Sequence, residues 1–168
     1  MFRPAVPNES QQLVALAAST DAFQPGEAEE LLGGLLKEFH AGSLGEGHQE
    51  QVWADDQTGA VAGWVYFAPS FASEGVWDRW WIGVDPASQG KGVGGRLLEF
   101  VESRVQKAGG RLLIIETSST KPFDSVRRFY AKRDYTDCGR IPDFYAEGDD
   151  KVTFAKRIAV NSRHNSLR

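Results

Sequence analysis

Four glycines fall within six positions in Gly90-Lys91-Gly92-Val93-Gly94-Gly95, where a strand-like run gives way to a strongly periodic helix. Ahead of them, Trp80-Trp81-Ile82-Gly83-Val84 reads as a strand stopped by Asp85-Pro86. Behind them, Val93, Leu97, Val101, Val105 and Ala108 recur every three or four residues until Gly109-Gly110 closes the helix. Glycine is the poorest helix former after proline, so crowding a first helical turn with it is locally costly. What it offers is close approach of the backbone to a ligand, with free N–H groups and the positive end of the helix dipole aimed at it. A pyrophosphate suits that arrangement, and Lys91 adds a point charge. A bare turn would need only one or two glycines.

Two known phosphate-binding patterns fit poorly. A P-loop needs Ser or Thr after its lysine, and Gly92 follows Lys91. Gly90 to Gly95 does match the dinucleotide pattern G-x-G-x-x-G, and Glu116 ends the next strand where a ribose-binding acid would stand. That fingerprint begins almost at the end of its strand, however, and here Asp85 to Gln89 intervene. Only one parallel crossover is predicted, whereas a dinucleotide fold uses several.

The remaining elements set the context. A short edge strand is expected at Phe2 to Val6, interrupted by prolines. Asn8 and Gln11 resemble a capping box opening a first helix with Leu13, Val14, Leu16 and Ala17. A second helix is expected from Pro25, carrying Leu31, Leu32, Leu35, Leu36 and Phe39 across the unfavourable Gly33-Gly34 pair. A hairpin follows over 51–67, and 68–77 reads as a loop. Leu112-Leu113-Ile114-Ile115 is an unbroken apolar run, as for a strand buried on both faces. Asp124 is placed to cap a last helix with Val126, Phe129 and Tyr130, and two strands close the chain near 135–141 and 151–157. The fold class predicted is α/β (α+β), a mixed, mostly antiparallel sheet with helices on both faces. It forms one domain over residues 1–160, with 161–168 a polar, frayed tail.

Composition removes other classes. With 168 residues, 41% hydrophobic and 25% charged, the chain is long enough for one packed core. Its net charge of -4 argues against binding nucleic acid by phosphate neutralisation. No run reaches the roughly 18 apolar residues of a membrane span. Cys138 is the only cysteine, which fits a reducing, cytoplasmic setting. His40, His48 and His164 lack metal-ligand spacing, so no metal is expected. No Gly-x-Ser-x-Gly elbow occurs.

Gln89-Gly90-Lys91-Gly92-Val93-Gly94, preceded by Val84-Asp85-Pro86, resembles the signature of the GNAT superfamily of acyl-CoA-dependent N-acyltransferases: Gln or Arg, two residues, Gly, one residue, then Gly or Ala. The order of elements is similar over nearly the whole chain. The resemblance implies an N-acetyltransferase moving an acetyl group from acetyl-CoA to a primary amine by direct transfer. It implies that backbone at Ile82, Gly83 and Val84 bonds the pantetheine arm, and that Gln89, Gly90, Lys91, Gly92, Val93, Gly94 and Gly95 hold the pyrophosphate. Tyr130, in Phe129-Tyr130-Ala131-Lys132, matches the family's tyrosine that protonates the departing thiolate. A phenol with pKa near 10 can serve a thiolate whose acid lies near 8.5. Glu116, at the strand end, is the candidate general base, and a solvated strand-end carboxylate is the equal alternative. Glu74, Asp78 and Asp143 read as loop charges, and Trp77, Trp80, Trp81, Phe144 and Tyr145 as core or acceptor-side aromatics. Two departures stand out: Asp134-Tyr135 replaces the usual Gly-Phe, with aspartate expected to take the left-handed conformation at the helix end less easily than glycine, and Thr120 to Asp124 lacks an asparagine that often contacts the cofactor. A homodimer is the default expectation for a soluble enzyme. The alternative from another class is a non-catalytic acyl-CoA-binding module on the same fold.

Overall fold

A computed structural model describes residues 1–20 and 22–159; the expected tail at 161–168 lies outside the described residues. Seven strands form one mixed sheet in the order β1-β2-β3-β4-β5-β7-β6. They are β1 (Phe2–Arg3), β2 (Gln49–Ala54), β3 (Val61–Pro69), β4 (Val76–Val84), β5 (Leu112–Ser118), β6 (Thr136–Ala146) and β7 (Asp149–Arg157). The helices are α1 (Ser10–Ala18), α2 (Gly34–His40), α3 (Val93–Lys107) and α4 (Asp124–Ala131). The predicted mixed sheet with helices on both faces is the observed fold.

The residues group into two compact units. The first comprises Met1–Ala68 with Trp80–Phe100. Here β1, β2 and β3 pair antiparallel, with Val52 opposite Trp64 and Glu50 opposite Tyr66. Because strand side chains alternate, Glu50, Val52, Trp64 and Tyr66 share one face. On that face Val52, Trp64 and Tyr66 join Leu13, Val14, Leu16, Ala17, Leu32 and Leu36 in a closed core. The opposite face receives the start of α3. A Cβ on Gly63 would stand 3.0 Å from Leu97 Cδ1 and 3.1 Å from Val93 Cγ1, so this glycine lets the helix lie close on β3.

The second unit comprises Pro69–Arg79 and the described residues from Val101 on. Val76 to Arg79 pair in parallel with Leu112 to Ile115, and β7 pairs antiparallel with both β5 and β6. Tyr130 of α4 packs its ring 5.8 Å from that of Phe154 on β7. Tyr135 donates to Glu102 Oε1 at 2.9 Å, and Lys156 pairs with Glu102 at 3.0 Å, tying α3 to the sheet.

Several local expectations need correction. The Asn8–Gln11 box does not form; Glu9 instead accepts from the Val6 amide at 3.1 Å and pairs with Arg3 at 2.6 Å, ahead of α1. The second helix does begin near Pro25, helical from residue 27 with the Glu30 amide bonding Gly26 O at 3.2 Å, but it runs through a π-helical turn over Glu29–Gly33 before passing into α2 at Gly34, and Leu31 is exposed. Segment 68–77 is only partly loop: β4 begins at Val76, because Val76 and Trp77 are buried despite the polar residues after them. β5 is not buried on both faces; Leu113 and Ile115 are fully buried while Leu112 and Ile114 are half-covered. Asp124 is the first helical residue of α4, bonded to Arg127, not its cap. The closing strands extend through 142–150, leaving a tight turn at residues 147–148. Asp134 does take the left-handed conformation at the end of α4, with φ 63°, in the place where a glycine is usual.

Candidate active site

The glycine loop belongs to the first unit. Asp85 Oδ1 accepts from the Ala87 amide at 2.8 Å and the Ser88 amide bonds Asp85 O at 2.8 Å, winding Pro86–Ser88 into one 3₁₀ turn. The chain then passes through Gly90 (φ +73°) and Gly92 (φ +81°), left-handed conformations that side-chain-bearing residues rarely adopt. A Cβ at either position would meet nothing within 4 Å, so the glycines serve backbone shape and leave open space in front of it. The Arg96 amide bonds Gly92 O at 3.1 Å. The amides of Val93, Gly94 and Gly95, one turn earlier, have no carbonyl within α3 to bond, as at the start of any helix. A cleft of about 710 Å³ lies against the loop, bordered by the turn at 55–60 and by Ala87, Lys91, Val93 and Arg96.

Ile82 and Val84 are half-buried and Gly83 is buried. Their strand is held against β3, where the Asp85 amide bonds Ala62 O at 2.9 Å and a Cβ on Gly63 would lie 2.8 Å from Gly83 O. Gly83 also makes room for the Trp81 ring. Gln89 Nε2 stands 3.5 Å from Val84 O. Of the tryptophans, Trp77 and Trp81 are core and Trp80 is 57% exposed, edge-on to His48 and Tyr66.

The candidate acid and base belong to the second unit. Tyr130 is 1% exposed, and burial pushes its phenol up while the Arg79 guanidinium, 5.5 Å from the ring centre, pulls it down. Glu116 is exposed and pairs with Lys151 at 2.9 Å. Register places the two apart. Ile115 lies opposite Phe154, which packs on Tyr130, while Glu116 lies opposite Thr153. Alternation therefore puts Tyr130 and the Glu116 side chain on opposite faces of the sheet.

Asp78, read from sequence as a loop charge, is a β4 residue opposite Ile114 and so shares the Glu116 face. Burial and the nearby Glu116 charge raise its carboxyl, against a hydrogen bond from Ser70 that lowers it. Its position became legible only once β4 was seen to start at Val76. Glu74 and Asp143 stay on exposed loop or edge positions; Asp143 caps the Gly148 amide at 2.7 Å. Phe144 and Tyr145 are exposed on β6, and the Lys151 ammonium lies 4.1 Å from the Phe144 ring centre. Among the described residues no group of three or more His, Cys, Asp or Glu is placed to hold a metal ion. No described helix is long and apolar enough to cross a membrane.

Comparison with known proteins gives a consistent picture. No curated protein sequence matches the chain. The model of the acetyltransferase (GNAT) domain matches residues 48–137, from β2 through the start of β6. A crystal structure described as a GNAT-family acetyltransferase from Desulfovibrio desulfuricans is 31% identical, covering 95% of this chain and 99% of that one at a TM-score of 0.85. An aminoglycoside 6'-N-acetyltransferase complexed with coenzyme A shares the fold at 17% identity, with 95% and 97% coverage and a TM-score of 0.73. So does yncA of Salmonella typhimurium with its cofactor acetyl-CoA, at 15% identity, 99% and 98% coverage and a TM-score of 0.71. The glycine loop and α3 lie inside the matched region, and with the fold they establish that the chain belongs to the GNAT acetyltransferase family.

Proposed function

We propose that this protein is an N-acetyltransferase that carries an acetyl group from acetyl-CoA to a primary amine in a single direct transfer. The observation that carries the reading is the loop at Gly90 and Gly92: two left-handed glycines, open space before them, and a helix whose first amides lack internal acceptors. Those amides would hold the pyrophosphate, with Lys91 adding a charge, and the main chain at Ile82 to Val84 would take the pantetheine arm as an added strand. Solved relatives of the same fold that hold coenzyme A or acetyl-CoA support this choice of donor.

In the transfer, the neutral amine attacks the thioester carbon and backbone N–H donors on β4 stabilise the oxyanion. Tyr130 donates its proton to the leaving sulfur. The base is drawn from the opposite face, where Asp78 is held ready to accept a proton and Glu116 is partly neutralised by Lys151.

Gly92→Val tests the loop. Valine at φ +81° is strained and would put its side chain into the open space. Calorimetry should show acetyl-CoA affinity falling at least tenfold, roughly the effect of 1.4 kcal/mol. Undiminished binding would remove the pyrophosphate assignment.

A further inference from the structure

Arg79 is a half-buried guanidinium with no acidic partner among the described residues. Its Nε is buried and bonded to nothing, and its Nη2 reaches only the Glu116 carbonyl oxygen at 3.4 Å, a long contact. Arginine stays charged in any protein environment, and a buried cation without a counter-ion is costly to keep. The carboxylates nearby are otherwise engaged. Glu116 turns to Lys151 on the other face, and Glu102 is shared by Tyr135 and Lys156. What Arg79 does face is Tyr130, its Cζ 5.5 Å from the ring centre.

The other groups around Tyr130 offer no comparable positive charge. Tyr135 packs at 5.7 Å between ring centres, and its hydroxyl points to Glu102. Phe154 covers the ring from β7, and the Arg133 guanidinium lies over Phe129. Lys156 is committed to Glu102.

We propose that Arg79 is the positioning residue for the leaving-group half of the reaction: it holds the Tyr130 ring and sets a fixed positive charge where negative charge develops as the carbon–sulfur bond breaks. The inference rests on Tyr130 being the acid. In the step itself the amine nitrogen bonds the acyl carbon and the sulfur departs with the bonding pair. The sulfur takes the Tyr130 proton, the amine's surplus proton leaves to the Asp78–Glu116 face or to water, and solvent reprotonates the phenolate. Arg79 keeps its proton throughout. The anion it lacks at rest is supplied, transiently, by the reaction.

The test compares Arg79→Gln, which keeps a donor toward the Glu116 carbonyl, with Arg79→Lys, which keeps the charge. Two readouts are used: kcat with a reactive amine, and titration of the coenzyme A thiol bound in the product complex, followed by thiolate absorbance. A free thiol titrates near about 8.5. Arg79 should hold the bound thiol below that, and Arg79→Gln should raise it by about one pH unit, the scale on which one neighbouring positive charge acts in a partly buried site. In Arg79→Gln, kcat should fall roughly tenfold or more with the acetyl-CoA KM nearly unchanged, and Arg79→Lys should recover most of both. A merely structural arginine would leave the thiol titration where it was; that result in a folded Arg79→Gln, or an Arg79→Lys as slow as Arg79→Gln despite its retained charge, overturns the inference. Tyr130→Phe separates the two readings. Full turnover there would defeat the acid assignment itself, whereas a slow Tyr130→Phe beside an unaltered thiol titration in Arg79→Gln would defeat Arg79 alone.

Discussion

Glu50 carries a charge that the fold holds at a loss, and replacing it by glutamine should make the protein more stable at neutral and alkaline pH. The residue sits on β2 facing the α1–α2 core, 6% exposed, with neither carboxylate oxygen hydrogen-bonded. Burial, and next the charge of Glu9, raise its pKa from 4.5 to about 7. Such a rise means that the folded state binds the proton more tightly than the unfolded chain. Below pH 4.5 both states are protonated and no loss is felt; between 4.5 and 7 stability drains away as the unfolded carboxyl ionises first; above 7 the full loss applies. At 1.36 kcal/mol per pH unit the loss approaches about 3 kcal/mol. Glutamine removes the charge but leaves a buried amide in need of partners, so the net gain at pH 8 should be about 2 kcal/mol. His40 Nε2, buried and 3.8 Å from Glu50 Oε2, is too far to hydrogen-bond it. Urea denaturation of wild type and Glu50→Gln at pH 4, 6 and 8 measures this directly. The two curves should nearly coincide at pH 4 and separate progressively, the variant being the more stable. A variant equally stable or weaker at pH 8, or a difference that ignores pH, would show that the buried Glu50 charge costs the fold nothing.

Three further outcomes are expected. Tyr130→Phe should lower kcat by roughly 10²–10⁴-fold, the usual range for a general acid, while calorimetry finds acetyl-CoA affinity within about twofold of wild type. Gly63→Ala would drive a Cβ to 2.8 Å from the Gly83 carbonyl and into Val93 and Leu97, so it should cost about 1–3 kcal/mol in denaturation and lower acetyl-CoA affinity by displacing the start of α3. Asp78→Asn should lower kcat/KM for amines and flatten its acidic limb, whereas Glu116→Gln should do so more weakly because Lys151 already neutralises that carboxylate.

Sequence reading reached furthest where one local rule governs. The glycines before α3, the helical spacing of Val93, Leu97, Val101 and Val105, and a left-handed Asp134 are all local demands, and each stands where it was expected. It fell short where neighbours decide. Val76 and Trp77 look like loop because polar Asp78 and Arg79 follow them, yet β5 pairs with all four and draws them into the sheet. Glu50 gave no signal of burial, since alternation in β2 becomes meaningful only when α1 and α2 are seen to cover one face. Nothing local marks Gly63 as tightly packed; only packing reveals that a Cβ there would strike the Gly83 carbonyl. The separation of Tyr130 from Glu116 across the sheet required the β5–β7 register, which no motif encodes.

Acetyl transfer is measured most directly as release of free thiol from acetyl-CoA across a panel of primary amines, with mass spectrometry of the products. Amine-dependent thiol release should be matched one for one by an N-acetylated product and slowed in Tyr130→Phe and in Gly92→Val. Tight acetyl-CoA binding with no thiol released for any amine would contradict acetyl transfer and make the chain a binding module on the same fold.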